Sequence, residues 1–150
     1  MSNVPMTRPE ELLAVHEFDY GHTVTFVELE DGRVLMFGGG EFRTSEDWGL
    51  TWSEPFVGVD AHGQRVGGSC TSLVRLSDGA IGIAASMGDG RDRYMAFWRS
   101  EDGGRTWSGP VRISPPGLPT WALQDVFLRT STGRIILPVY TEIGQIVAAG

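Results

Sequence analysis

Residues 43–52 read RTSEDWGLTW and residues 98–107 read WRSEDGGRTW, so the frame Ser-x-Asp-x-Gly-x-Thr-Trp occurs twice, at 45–52 and again 55 residues later at 100–107. With five positions fixed and residue frequencies of about 5–10% each, a chance match arises on the order of once per million windows. Two matches in one short chain mark an internal repeat. The eight-residue frame is called the box below.

A second repeat interleaves with the first. The stretches TVTFVELEDGRVLMFGG (23–39), TSLVRLSDGAIGIAAS (71–86) and DVFLRTSTGRIILPVY (125–140) each set a polar-Gly pair between two apolar or alternating runs: Asp31-Gly32, Asp78-Gly79 and Thr132-Gly133. That is the signature of a β-hairpin. The turn glycines are 47 and 54 residues apart, and a period near fifty built of four strands describes a propeller blade.

Each unit then runs strand A, polar-Gly turn, strand B, variable loop, strand C, box, strand D. The pattern predicts strands at 23–29, 33–38, 41–45 and 52–59 in the first unit, and at 71–76, 80–87, 93–100 and 107–113 in the second. The third unit supplies 124–130 and 134–140, and residues 13–20 read as a D strand of a ring-closing blade. The expected fold class is all-β: one partial propeller domain over 1–150, with blade 1 at 20–59, blade 2 at 69–113 and half of blade 3 at 121–142.

The box has a physical rationale. Asp47 and Asp102 can accept hydrogen bonds from backbone N–H groups ahead of them, Gly49 and Gly104 can supply positive φ, and Thr51 and Thr106 can return a hydroxyl to the turn that Ser45 and Ser100 open. Trp52 and Trp107 then start strand D as apolar plugs wedged between blades, a role that outweighs sugar stacking.

Composition narrows the function. A chain that is 41% hydrophobic and 21% charged, with 21 glycines and 8 prolines spread through it, suits a soluble domain of short strands and tight turns. The net charge of −7 excludes a nucleic-acid partner, which needs a basic stripe. All twelve basic residues are arginine, but GC-rich codon usage accounts for that. The single cysteine, Cys70, rules out an internal disulfide and a multi-cysteine metal site, and His16, His22 and His62 have no ligand spacing. GGGEF and GDGRDR lack the strand-to-helix context and the Lys-Ser/Thr of a phosphate loop. No metal and no cofactor are expected. With no signal-like apolar run and no stretch of eighteen apolar residues, the chain reads as cytoplasmic, without a membrane partner.

SEDWGLTW and SEDGGRTW resemble the Asp-box, or BNR, motif of the sialidase (neuraminidase) superfamily, and the spacing is similar to that of sialidase-type propellers. The resemblance spans residues 20–142. It implies six blades in a full-length parent, with the boxes on the face opposite the active site. Function then belongs to the D–A and B–C connections, at 14–23, 39–41, 58–70, 87–93, 113–124 and from 140 onward. These carry Glu41, Asp60, His62, Arg65, Asp89, Arg91, Asp92, Arg93, Trp121, Asp125, Tyr140 and Glu142.

Sialidases are similar to one another in using a tyrosine nucleophile activated by a glutamate, a general acid, and three arginines for the sugar carboxylate. This chain departs from that pattern: the position matching the first arginine is His22, and the one matching the acid is Ser69. The candidate catalytic carboxylates are therefore Asp60, Asp92 and Asp125, the last because its segment resembles the third-blade segment of such proteins. His22, Arg65, Trp121 and Tyr140 are the candidate substrate-binding residues. The expected function is the N-terminal part of a sialidase-like glycoside hydrolase acting on terminal sugars of glycans, inactive as this chain alone and needing the missing blades. The alternative is a lectin-like propeller closed by homo-oligomerisation.

Overall fold

The structure, a computed structural model, describes residues 24–141. His22, Glu142 and the strand expected at 13–20 lie outside those residues. Three antiparallel hairpins carry the polar-Gly turns. Val24–Glu28 (β1) pairs with Val34–Gly38 (β2), Ser69–Arg75 (β5) with Ile81–Met87 (β6), and Leu128–Arg129 (β10) with Ile135–Ile136 (β11). The turns are closed alike: Leu29, Leu76 and Thr130 donate N–H to the carbonyls of Arg33, Ala80 and Arg134 at 2.7–2.8 Å.

Strand C is Glu41–Ser45 (β3) in the first blade and Tyr94–Ser100 (β7) in the second, each antiparallel to its strand B. The Gly38-to-Glu41 connection is a two-residue turn with Gly39 and Gly40 at φ 59° and 83°, the left-handed pair that matches hairpin twist. The chain is thus all-β, two blades and half of a third. Among the described residues no helix is long and apolar enough to cross a membrane.

Strand D is where the structure departs from the pattern. The run expected at 52–59 is not continuous: Ser53 donates N–H to Thr44, Phe56 exchanges both bonds with Phe42, and Pro55 between them has no N–H to give. The chain then leaves its own blade, and Val59–Asp60 (β4) pairs in parallel with Thr106–Trp107 (β8) of the next. In the second blade Pro110 divides the D strand in the same way, leaving Val111–Arg112 (β9) as its paired part.

Both boxes are C–D turns, and their hydrogen bonds match pair by pair. Ser45 Oγ accepts from Gly49 N at 2.7 Å and donates to Asp47 Oδ1 at 2.8 Å, while Thr51 donates its N–H at 2.8 Å and its hydroxyl at 2.6 Å to the Asp47 carboxylate. In the second box Ser100, Asp102, Gly104 and Thr106 repeat this at 2.6–2.9 Å. Gly49 and Gly104 sit at φ 89° and 91°. At Gly104 a β-carbon would also stand 2.9 Å from Leu35 Cδ2 of the first blade, so two constraints hold the position.

The blades pack face to face. Leu35, Phe37 and Phe42 of the first meet Leu73, Ile81, Ile83, Trp98 and Trp107 of the second in one buried cluster. Trp107, 4% exposed, stacks on Phe42 at 5.4 Å between ring centres and donates its indole N–H to Gly104 O at 2.9 Å. A second cluster joins Ala84, Met95 and Phe97 to Trp121, Ala122, Val126, Phe127 and Leu137. Strand β6, covered on both faces, is an apolar and small-residue run rather than an alternating one.

Two substitutions at the second box should differ in cost. Trp107→Ala empties a buried, stacked site and should lose about 3–5 kcal/mol. Asp102→Ala strands turn donors that water can reach, and should lose about 1–2 kcal/mol. Urea melts returning equal losses would show that the tryptophan is not the interblade plug.

Acid should expose the boxes. The Thr51 hydroxyl and N–H hold the Asp47 carboxyl down at about 2. At Asp102 burial pushes upward, but bonds from Thr106 and Ser100 outweigh it and the group is lowered. Groups depressed in the folded state contribute stability that is complete above the unfolded value of about 3.9 and is lost as pH falls through the folded one. The thermal midpoint should therefore fall between about pH 4 and 2. The double variant Asp47→Asn, Asp102→Asn should fall less steeply, and an unchanged acid limb would sink the assignment.

Candidate functional site

The two ends of the blades differ. The boxes and polar-Gly turns share one end: a β-carbon on Gly103 would lie 3.5 Å from Leu29 Cδ1, and one on Gly79 would lie 2.7 Å from Glu30 Oε2. Clefts of about 490 and 360 Å³ at this end are lined by turn residues such as Arg33, Gly103 and Asp102. At the other end, residues 38–40, 68–71 and 123–124 of three successive blades line a cleft of about 580 Å³ floored by Phe37. Its lining comes from the B–C connection of the first blade and the D–A connections of the second and third.

Two non-glycine residues at its rim have left-handed backbones, Cys70 at φ 51° and Asp125 at φ 52°. Such residues cost on the order of 1 kcal/mol or more and persist where surrounding structure fixes them. At Asp125 the fixing contacts are visible. Its N–H donates to Thr71 O at 3.1 Å, and its carboxylate accepts the Thr25 hydroxyl at 2.6 Å. Thr25 Oγ1, fully buried, in turn accepts the N–H of Leu73 at 3.0 Å. One chain of hydrogen bonds thus runs from blade 2 through blade 1 to blade 3 and ends on an exposed carboxylate beside the cleft.

Beside it, Trp121 and Tyr140 form an antiparallel bridge, with N–H to O distances of 3.2 and 2.9 Å. Their rings meet edge to face at 4.5 Å. Of the sequence candidates, Trp121 and Tyr140 are brought into contact with each other, and Asp125 follows Gln124 of the cleft lining; none of the three is itself among the lining residues, whereas Ser69, the position matching the family acid, is.

Other candidates stand elsewhere. Asp60, 7% exposed, accepts N–H bonds from Gln64 at 2.9 Å and His62 at 2.8 Å, and the first of these chiefly lowers its carboxyl. It sits in a small hairpin, bridged by Val59 and Arg65, that docks on the strand after the second box. Arg65 is exposed on that hairpin. Asp92 ends the 3-10 turn Gly90–Asp92, its N–H donating to Asp89 O at 3.0 Å. None of the three lines the cleft.

Sequence reasoning missed Thr25 and the left-handed Cys70. A signal for Thr25 existed: Thr25 and Ser72 are 47 residues apart, the spacing of the turn glycines, and Ser72 Oγ likewise accepts an N–H from the next blade, that of Val126 at 3.0 Å.

No family model matches the sequence, and no curated protein matches it significantly. Among solved structures, an α-L-arabinanase of Penicillium chrysogenum complexed with arabinobiose is similar with a TM-score of 0.54 and 19% identity, over 79% of this chain and 42% of its own. A Dyadobacter fermentans protein of unknown function is 22% identical over 75% of this chain and 32% of its own, with a TM-score of 0.49. The chain spans less than half the length of either. At such identity the arabinanase likeness bears on the fold: an all-β sector like that of a propeller glycosidase.

The hydrogen-bond chain gives a test. Thr25→Val removes the hydroxyl and leaves the buried Leu73 N–H without a partner, so it should cost about 1–3 kcal/mol. Asp125→Asn keeps an acceptor for the Thr25 hydroxyl and should be nearly neutral. Denaturant melts in which Asp125→Asn is the costlier change would overturn this ordering.

Proposed function

We propose that the chain forms the first blades of a sialidase-like glycoside hydrolase acting on terminal sugars of glycans, whose cleft is the one shared by the three B–C and D–A connections. The observation that carries this is the placement of Asp125: an exposed carboxylate fixed in a left-handed backbone at the end opposite both boxes. Asp125 stands in a turn, but hydrogen bonds to Thr25 and Thr71 on strands of the two other blades fix it, as the geometry of glycoside cleavage demands of a reactive group. The similarity to a propeller that held arabinobiose supports a glycan as the ligand, and leaves the choice between a sialoside and another terminal sugar to experiment.

Asp125 is the candidate acid or base of this wall, with Asp92 on the neighbouring loop. Trp121 and Tyr140 are the candidate sugar contacts. Glycosidases place two carboxyl groups about 5–9.5 Å apart across the scissile bond, or a carboxylate against another nucleophile. Asp125 supplies one such group, and its opposite number belongs to further blades.

Apolar surface supports the need for more blades. Leu128 is 58% and Ile136 43% exposed on the half-blade, and Phe26 is 43% exposed on the first. In the interior seams, side chains of these strands are covered by a neighbouring blade. Closure by copies of the chain would instead give a glycan-binding ring, the reading that a discrete oligomer in solution would favour.

The 150-residue chain alone should release no fluorophore above the buffer rate from fluorogenic sialosides or arabinofuranosides. Millimolar sugar binding is compatible with a single wall of a cleft. Robust turnover that Asp125→Asn abolishes would show that the chain is an enzyme by itself, and overturn the need for further blades.

A further inference from the structure

The seam between the first two blades shows which positions of one blade meet which positions of the next. At the box end Leu29 and Arg33, on either side of the first polar-Gly turn, face the second box: a β-carbon on Gly103 would lie 3.5 Å from Leu29 Cδ1 and 3.9 Å from Arg33 Nη2. Two residues on, Leu35 Cδ2 stands 2.9 Å from where a β-carbon on Gly104 would be. Arg33 and Glu101 line one cleft of this seam. Each pairing joins the turn side of one blade to the box of the blade that follows it.

The two ends of the described chain carry the unused halves of the same pairings. The half-blade at 124–140 has a turn side with no described blade after it: 101 residues on from Leu29, Arg33 and Leu35 stand Thr130, Arg134 and Ile136. Thr130 donates its N–H to Arg134 O just as Leu29 does to Arg33 O, so the equivalence is structural as well. The first blade has a box with no described blade before it: 55 residues before Glu101, Gly103 and Gly104 stand Glu46, Trp48 and Gly49. Leu35 is fully buried in its seam, whereas Ile136 is 43% and Trp48 72% exposed.

Size and charge at these positions are complementary. Where the observed seam sets a large leucine, Leu29, against a glycine, the end faces offer the smaller Thr130 to a tryptophan. Trp48 holds its place at φ 59°, a left-handed backbone that Gly103 adopts at φ 73° without strain. A large aromatic held exposed on a strained backbone has the character of an interface anchor. Arg134 and Glu46 take the places of Arg33 and Glu101 and are opposite in charge; both are exposed, and neither forms an ion pair among the described residues.

We propose that the chain associates head to tail, the turn side of the 124–140 half-blade of one copy seating on the Trp48 face of a second copy in the register of the seam between blades 1 and 2. Such an interface joins two different faces, and each copy offers one of each. The inference is independent of the glycan reading: in a longer protein, flanking blades would occupy the same two faces.

The test is sedimentation velocity of the full chain across micromolar to submillimolar concentration, where the average mass should rise with concentration. Trp48→Gly, which copies the second box, and Ile136→Asp each remove one face and should each weaken association roughly tenfold or more. Both should keep the circular dichroism of the parent, because both side chains are exposed. An equimolar mixture of the two variants should associate again, since Ile136 of the first still meets Trp48 of the second. Glu46→Arg combined with Arg134→Glu should associate more tightly than either change alone.

A chain that stays monomeric throughout overturns the proposal, as does association that either single variant leaves unchanged. Loss in both variants without recovery in their mixture means that each face meets its own like, and overturns the head-to-tail arrangement. A charge-swapped chain no tighter than its single variants overturns the register. None of these readouts involves a sugar, so the glycan reading stands or falls separately.

Discussion

The contact on which the sector depends is the stacking of Trp107 on Phe42. A blade has two apolar faces and cannot bury either alone, so what makes a structure of two sheets is the seam between them. Trp107 fills that seam from the second blade, Phe42 from the first, and the indole N–H is satisfied by Gly104 O inside the turn that delivers it. The box is best understood as the device that aims this ring: its serine, aspartate and threonine close the turn on itself, so strand D starts from a fixed point. The parallel pairing of β4 with β8 then ties the departing end of one blade to the same tryptophan, at Asp60↔Trp107.

Much of this was legible in the sequence because it depends on local chemistry. The hairpins follow from polar-Gly pairs between β-branched runs, and the two boxes from a frame whose shared serine, aspartate, glycine and threonine bond one another within four residues. Strand D was misread because its boundaries depend on prolines at 55 and 110 and on a pairing partner in a different blade, which no local pattern records. The interblade hydrogen bonds were half visible. Thr25 and Ser72 repeat at the spacing of the turns, as do Arg75 and Arg129, 54 residues apart, which donate to carbonyls of the preceding blade at 3.3 Å. Buried hydroxyls on an apolar strand are a signal, but one that acquires meaning only when the register between sheets is known.

The candidate site was harder, for the same reason. Asp60, Asp92 and Asp125 look alike in sequence, each an acid in a connection. The fold separates them by what their surroundings ask of them: Asp60 is held by its own hairpin's N–H groups, Asp92 ends a 3-10 turn, and Asp125 is tied across blades to Thr25. Arg93, one of several charged residues in these connections by sequence, is set apart by its place over the Trp121 ring, which depends on a segment 28 residues further along the chain.

Charge is divided between the two ends in a way that bears on function. The ion pairs among the described residues, Arg33 with Asp31 at 2.8 Å and Arg99 with Asp78 at 3.0 Å and Glu101 at 3.1 Å, all lie at the box end. There the arginine bonds lower both aspartates, as expected of groups whose work is to stabilise turns. At the cleft end Asp89, Arg91, Asp92, Arg93 and Asp125 form no ion pair among the described residues, although opposite charges stand within a few residues of one another. Exposed ion pairs contribute little to stability, so these charges can stand unpaired at little cost at the end where the proposed cleft lies.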